Sequence, residues 1–149
     1  MRKYIAADFA CNNWSEVEAY LKELSERVVA TKDDFIAWLK DKSELEAVLE
    51  ENMAWRYIRM TIDTTDTAKT EAYQFFVTEI QPNLAPYEDQ LNRKMMSAEW
   101  VDELSNDEAY AIYFRSTHTA LNLFREENIP LETEINTLSQ EYGAISGQQ

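Results

Sequence analysis

The sequence predicts an all-α protein, an antiparallel bundle of about seven or eight helices joined by short turns. Three observations lead to this class. Helix-start signals recur along the chain, apolar residues repeat at spacings of three and four, and both glycines, Gly143 and Gly147, fall in the last seven residues. All-β proteins and phosphate-binding α/β folds need glycine in tight turns and at close backbone approaches. A chain without glycine before position 143 therefore disfavours both of those classes.

Three start signals mark the helices of the first half. Residues 15–18 (Ser-Glu-Val-Glu) have the spacing of a capping box, and Trp14 precedes them as a hydrophobic staple. Residues 31–34 begin a second, shorter helix. A further capping box at residues 43–46 (Ser-Glu-Leu-Glu) predicts the start of a separate long helix that ends near Met60.

Prolines divide the middle of the chain. Residues 63–67 supply several capping oxygens and predict the start of a helix that ends before Pro82. Pro82 and Pro86 then bracket a turn, and the next helix runs through Leu91.

The last third is predicted to hold three more helices. A short one lies around Trp100, and a long one opens at Asn106 or Asp107 and ends at residues 128–130. The final helix is stopped by Gly143, since glycine favours the conformation that terminates helices.

Size and charge narrow the function. The 149 residues suit one compact domain, and 28 acidic against 14 basic residues give a net charge of −14. Phosphates and anionic lipids attract basic proteins, so we expect no nucleic-acid partner and no membrane partner. The longest apolar run, residues 109–114, is too short to span a bilayer. With no targeting segment and a single cysteine, the sequence predicts a cytoplasmic protein.

The single histidine and the single cysteine are weak candidates for chemistry. His118 lies beside the apolar stripe of its helix, which favours a boundary histidine over a lone ligand or proton shuttle. Arg115 stands where a helix-borne Glu-x-x-His motif needs glutamate. Cys11 is interpreted as a structural or exposed thiol. We therefore predict no catalytic, cofactor-binding or metal-binding residue in this chain.

Acidic and aromatic residues suggest structural roles. The acids of residues 63–67 lack calcium-loop spacing, and Glu44, Glu46, Glu50 and Glu51 are interpreted as a solvated helix face. Residues 55–62 (Trp-Arg-Tyr-Ile-Arg-Met-Thr-Ile) are apolar around most of the helix, which indicates packing on more than one side.

Two segments of the chain have a distinctive order of residues. One is residues 55–64 (Trp-Arg-Tyr-Ile-Arg-Met-Thr-Ile-Asp-Thr), and the other is residues 123–131 (Leu-Phe-Arg-Glu-Glu-Asn-Ile-Pro-Leu), continuing through residues 139–147 (Ser-Gln-Glu-Tyr-Gly-Ala-Ile-Ser-Gly). Both segments resemble the oligoendopeptidase F branch of the thimet-like zinc metallopeptidases. The spacing of Trp38-Leu39 with Ser43-Glu44-Leu45, and of Phe76-Val77 with Ile80-Gln81-Pro82, is similar to the same family. The resemblance extends over residues 4–147.

This resemblance implies a role in a larger hydrolase. The zinc site of the family, a His-Glu-x-x-His helix with a further glutamate, lies downstream of the region that this chain resembles. Residues 1–147 would form a single N-terminal, non-catalytic helical domain, with residues 148–149 as a truncated end. This domain would help to enclose the deep cleft in which the protease hydrolyses short peptides, and would limit substrate size. Zinc is expected in the full-length parent, and no cofactor is expected in this chain.

The implied partners follow from the same resemblance. The main one is the catalytic portion of the parent chain, which would cover the apolar faces of residues 55–62 and of Tyr73, Phe75, Phe76 and Val77. Short peptides are partners of the full-length enzyme, and self-association of the isolated chain is a further expectation. The alternative is a stand-alone acidic helical module that binds a partner helix. A His-Glu-x-x-His motif in the reading frame beyond Gln149 would decide between them.

Overall fold

The computed structural model describes residues 2–147, which are mainly helical and contain no strand. The helices are α1 (Trp14–Glu26), α2 (Lys32–Ile62), α3 (Thr67–Phe75), α4 (Gln81–Met96), α5 (Val101–Leu104), α6 (Glu108–Leu123) and α7 (Ile129–Ser146). A π-helical turn, Phe76–Ile80, joins α3 to α4 without a break, so the described residues form six continuous helices. The all-α prediction is confirmed, with slightly fewer helices than expected. The predicted truncated end, residues 148–149, lies outside the described residues.

Helix α1 begins before the predicted capping box. Its N-cap is Asn13, whose side-chain oxygen accepts from the backbone N–H of Glu16 at 3.0 Å. In return, the Glu16 carboxylate accepts a hydrogen bond from the side-chain amide of Asn13 at 2.6 Å. Ser15 is therefore wrong as the cap, because asparagine caps helices at least as well as serine. The earlier start places Trp14 inside the helix, with its ring 5.9 Å from that of Tyr87.

Helix α2 is one helix of 31 residues rather than two. Its predicted start is confirmed, since Thr31 and Asp34 form a capping box. The second capping box at Ser43 is wrong. Residues 40–43 (Lys-Asp-Lys-Ser) include no glycine or proline to break the helix, and Lys42, in the middle of them, is buried.

The prolines do not end the third helix. Gln81 donates its N–H to the carbonyl of Phe76, five residues back, and this widened π turn lets the chain continue into α4. Pro82 falls in the first turn of α4, and Pro86 lies within α4. The side chain of Asn83, in the same turn as Pro82, donates to the Glu79 carbonyl at 2.7 Å. The predicted turn between the prolines is therefore wrong.

The core lies between α1, the first part of α2, α4, α5 and α6. Its largest fully buried side chains include Trp38 and Phe35. A smaller cluster of Met60, Tyr73 and Val77 joins the end of α2 to α3 and the π turn. The sequence predicts that another protein surface covers Tyr73, Phe76 and Val77. In the structure, Tyr73 and Val77 are buried in this smaller cluster and Phe76 is buried in the main core.

The last two helices differ from prediction at their ends. Asp107 caps α6 as expected by accepting from Ala109 N–H at 2.9 Å. However, α6 ends at Leu123, and α7 continues through Gly143 to Ser146. Gly143 has no positive φ, so it is not the terminator that the sequence predicted. Among residues 2–147, no helix is both long and apolar enough to cross a membrane.

Candidate functional site

A cavity of about 650 Å3 lies between α2, α4 and α7. Its apolar lining includes Leu49, Met53, Phe76 and Leu84, and its carboxylates are Glu46, Glu50, Glu88 and Glu132. Only Glu46 among these four carboxylates forms an ion pair with a described residue. The cavity is therefore an acidic cleft over an apolar floor, suited to a cationic or basic surface rather than an anion.

The ion pair of Glu46 belongs to a network on one side of the cleft. The Lys42 ammonium contacts the Glu46 carboxylate and lies 2.9 Å from the Tyr113 hydroxyl, which donates to Glu46 at 3.0 Å. Burial lowers the pKa of Lys42, but the Glu46 carboxylate and Tyr113 outweigh it, and the pKa stands above its usual value. Lys42 is thus held charged, which fits a structural role: the ion pair lies within α2, and the Tyr113 hydroxyl joins it to α6.

Glu88 is the second notable carboxylate of the cleft. The side chain of Glu88 is exposed, but protein surrounds it on several sides. The resulting partial loss of hydration raises the pKa of Glu88, and repulsion from the Glu46 carboxylate raises it further. A raised carboxyl pKa is one mark of acid–base sites. Among the described lining residues, however, none is a histidine or cysteine that a carboxyl group could activate.

The two residues considered as candidates for chemistry, His118 and Cys11, differ in their exposure to solvent. His118 is exposed on α6, and its Nδ1 lies 3.2 Å from the side-chain amide of Asn122. Cys11 is fully buried, and burial raises its thiol pKa to about 11, which keeps the thiol protonated and unreactive. Within residues 2–147, no three metal-ligating side chains come together.

Two polar side chains that the sequence analysis missed hold the N-terminal segment. The Glu44 carboxylate accepts from the backbone N–H groups of Lys3, Tyr4 and Ile5 at 2.7–2.9 Å. Arg56 donates to the carbonyls of Cys11 at 2.9 Å and Ala72 at 3.0 Å. Spacing along the chain carries no signal for either contact, because their partners are backbone groups distant in sequence.

The interpretation of the four glutamates as a solvated face is wrong for two of them. Glu44 binds backbone, and Glu46 pairs with the buried Lys42. Glu50 and Glu51 are exposed as predicted, and Glu51 forms a surface ion pair with Arg2 at 2.9 Å. By contrast, the capping role predicted for residues 63–67 is confirmed, since Asp66 accepts from Ala68 and Lys69 N–H.

Most of the large exposed apolar side chains lie on two helices. On α2, Trp55 and Ile58 are 51% and 40% exposed, and Ile62 at the end of the helix is 78% exposed. On α7, five apolar residues face solvent: Leu131, Ile135, Leu138, Tyr142 and Ile145. Soluble monomers seldom leave so many large apolar groups together on helix faces, so these two faces are the candidate contact surfaces of the domain.

The fold and the surface together define this protein as an acidic all-α domain with exposed apolar helix faces. The sequence model of the peptidase M3 N-terminal domain matches residues 7–124, and the chain belongs to this family. The resemblance to the N-terminal region of thimet-like peptidases is thereby confirmed. Searches of curated proteins and of solved structures gave no match. The family match ends before α7 begins.

Proposed function

We propose that this chain is the N-terminal, non-catalytic helical part of an oligoendopeptidase F-like zinc metallopeptidase that hydrolyses short peptides in a deep cleft. Its task is to help enclose that cleft and to limit the size of substrates that enter. The observation that carries the proposal is the match to the peptidase M3 N-terminal domain over residues 7–124. The parent enzyme is proposed to act in the cytoplasm.

The side chains of this chain support a non-catalytic role. A catalytic zinc site needs three protein ligands and an open position for water. The one histidine, His118, is exposed and has Asn122 as its neighbour rather than a second metal ligand. The zinc and the general base are therefore assigned to the catalytic portion of the parent, which would supply the metal-activated water.

The exposed end of α2 supports docking against that portion. Trp55, Ile58 and Ile62 recur at spacings of three and four and so share one face of the helix. Leaving this face in water is unfavourable, and a covering protein surface removes the cost. A standard interface of roughly 1,600 Å2 is large enough to include it.

The test combines this chain with the catalytic portion of an oligoendopeptidase F-like enzyme from which the N-terminal region has been removed. Quenched fluorescent peptides of increasing length and one unfolded protein are the substrates. We expect cleavage to be chelator-sensitive with or without the chain. Adding the chain should suppress cleavage of the long substrates more than that of the short peptides, because a more enclosed cleft excludes them.

A matched pair of variants makes this test specific. Ile58→Lys/Ile62→Lys should abolish the effect on long substrates, because two charges are placed on the apolar face of α2. Val28→Lys/Ile112→Lys adds the same charge at exposed apolar positions on other elements and should leave it unchanged. No binding and no change in size selectivity on adding the unmodified chain would contradict the proposal.

The alternative function is a stand-alone acidic module that binds a partner helix. The acidic cleft between α2, α4 and α7 favours it, because an apolar floor beside carboxylates matches a basic amphipathic segment. This alternative predicts partner binding with no dependence on a catalytic portion. A His-Glu-x-x-His motif encoded downstream in the same reading frame would exclude it.

A further inference from the structure

The amphipathic character of α7 is reversed with respect to the rest of the chain. Its half-buried residues, which face α4 and the π turn, are mostly polar: Ile129, Thr133, Asn136, Thr137, Gln140 and Ala144. Gln140 accepts from the side-chain amide of Gln74 at 3.0 Å, and Asn136 donates to Gln81 at 3.4 Å. No residue of α7 is fully buried. This helix is therefore held to its own domain mainly by polar contacts.

The opposite face of α7 is apolar and faces solvent. Its residues are between 55% and 74% exposed and occur at alternating spacings of four and three: Leu131, Ile135, Leu138, Tyr142 and Ile145. This spacing is the one by which two helices interlock along a common seam. We call these five residues the seam, and the half-buried residues the polar stripe. Each seam residue follows a stripe residue by about two positions, which places the seam about 200° around the helix from the stripe. A water-facing seam of this kind indicates that a second helix packs against it.

The charges beside the seam select the partner. Three glutamates, Glu132, Glu134 and Glu141, occupy flanking positions, and residues 129–146 include no lysine, arginine or histidine. Pairing with α7 of a second copy would bring glutamates together, on chains that each carry a net charge of −14. Like charges at flanking positions oppose pairing, whereas lysine or arginine at those positions of a partner favours it.

We propose that α7 is the docking helix for a basic amphipathic helix, whose apolar seam covers Leu131 to Ile145 and whose lysines or arginines pair with Glu132, Glu134 and Glu141. The source to which we assign it, the catalytic portion of the parent peptidase, rests on the proposed function. The surface and its complementary chemistry rest on α7 alone. The face of α2 tested above is separate from this seam in sequence and in the residues that form it.

Two synthetic helical peptides test the surface on the full 149-residue chain. Both carry the same apolar heptad seam, with lysine at the flanking positions of one and glutamate at those of the other. We expect the basic peptide to bind at least about tenfold more tightly, and its affinity to fall as salt is raised. Fluorescence anisotropy of the labelled peptides measures both effects.

Three variants of the chain locate the binding. Ile135→Gln/Leu138→Gln should weaken the basic peptide about tenfold or more by disrupting the centre of the seam. Glu134→Gln/Glu141→Gln should reduce the preference for the basic peptide and its salt dependence. Val28→Gln/Ile112→Gln, which changes exposed apolar residues outside α7, should bind as the unmodified chain does. Circular dichroism establishes that each variant is folded.

Several results would overturn the inference. Equal binding of the two peptides, no binding of either, or the same loss in the Val28→Gln/Ile112→Gln control would each do so. Concentration-dependent dimerisation in sedimentation, abolished by Ile135→Gln/Leu138→Gln, would show instead that a second copy covers the seam.

Binding to the catalytic portion separates this inference from the proposed function. If the catalytic portion binds the unmodified chain and the Ile135→Gln/Leu138→Gln variant equally, the docking role of α7 is overturned and the proposed function stands. If the basic peptide binds through α7 but the catalytic portion does not bind at all, the surface stands, and the proposed function and the assigned source of the helix are overturned.

Discussion

The Glu44 carboxylate holds the first residues of the described chain against α2. Its contacts with three backbone N–H groups are of the charge-assisted kind, which are stronger than neutral hydrogen bonds. We expect Glu44→Gln to lower the free energy of unfolding by about 1–2 kcal/mol, measured by urea denaturation at pH 7. Glu50→Gln, an exposed glutamate on the same helix, is the matched control and should change stability little.

The same contact predicts a dependence on pH. Partial burial raises the pKa of Glu44, but its hydrogen bonds with the backbone of Ile5, Lys3 and Tyr4 outweigh it and hold the pKa below its usual range. Such a group stabilises the fold above its unfolded pKa, about 4.3, and this contribution is lost as pH falls through the folded pKa. The stabilities of the unmodified chain and Glu44→Gln should therefore converge in acid. A constant difference down to the acid transition would contradict this account.

Lys42 and Glu46 test whether the buried network acts as a unit. The Lys42 side chain is 2% exposed and that of Glu46 is 33% exposed, so the pair is only partly shielded from water. We expect Lys42→Met to cost about 2 kcal/mol, less than a fully buried pair, because Glu46 can regain some hydration. The double variant Lys42→Met/Glu46→Gln should cost less than the sum of the single variants, by about 0.5 kcal/mol or more. Additive costs in urea denaturation would show that the two residues are not coupled.

Pro86 interrupts the backbone hydrogen bonding in the interior of α4. It removes one backbone hydrogen bond within α4 and crowds the preceding turn. We expect Pro86→Ala to stabilise the protein by about 1–3 kcal/mol, reduced by the greater freedom that alanine gives the unfolded chain. Pro130→Ala is the control, since Pro130 lies in the first turn of α7, where no backbone bond is lost. A lower melting temperature for Pro86→Ala would show that the core packing of α4 requires the proline.

Gly143 distinguishes a helix that continues from one that stops. In the structure it is a helix-interior glycine, and a Cβ added to it would meet nothing within 4 Å. We expect Gly143→Ala to stabilise the chain by about 0.5–1 kcal/mol, because alanine is the better helix former. If Gly143 were instead the left-handed terminator suggested by the sequence, the same change would destabilise it. Thermal denaturation followed by circular dichroism gives the sign.

The chain as a whole is expected to be inactive as a peptidase. One histidine, exposed on α6, cannot form a three-ligand zinc site, and a buried thiol with a pKa of about 11 is a poor nucleophile. We expect no stoichiometric zinc after dialysis and no cleavage of a quenched fluorescent peptide. Metal analysis and the peptide assay, performed on one homogeneous preparation, measure these outcomes. Chelator-sensitive cleavage would contradict the assignment of catalysis to another portion of the enzyme.

Local interactions explain which helix boundaries were predicted correctly. Thr31, Asp66 and Asp107 cap helices as expected, because a cap binds backbone N–H groups two or three residues away. The helix breaks predicted at Ser43 and Pro82 failed for a different reason. A helix continues where both flanks pack into the same core, and a capping sequence or a proline near a π turn does not overcome that packing.

The candidate site was less accessible to sequence reasoning than the fold. The periodicity and the scarcity of glycine were sufficient for the helical class, and the quoted segments were sufficient for the peptidase family. The contacts of Glu44 and Arg56 were not predicted, since their partners are backbone N–H and carbonyl groups, which nearly every residue possesses. The acidic cleft was missed as well, because Glu46, Glu88 and Glu132 come from three helices whose packing the sequence pattern does not specify.

The sequence alone determined the helical class, the acidity and the family. These properties depend on the periodicity of apolar residues, on the count of charged residues and on similarity of sequence segments. Which apolar faces are covered depends on the fold. Tyr73 and Val77 looked available for a partner but are buried within the chain, whereas the seam of α7 is exposed. Burial requires two surfaces to meet, and a sequence pattern describes only one of them. The packing of α7 through its polar stripe leaves its apolar seam in water.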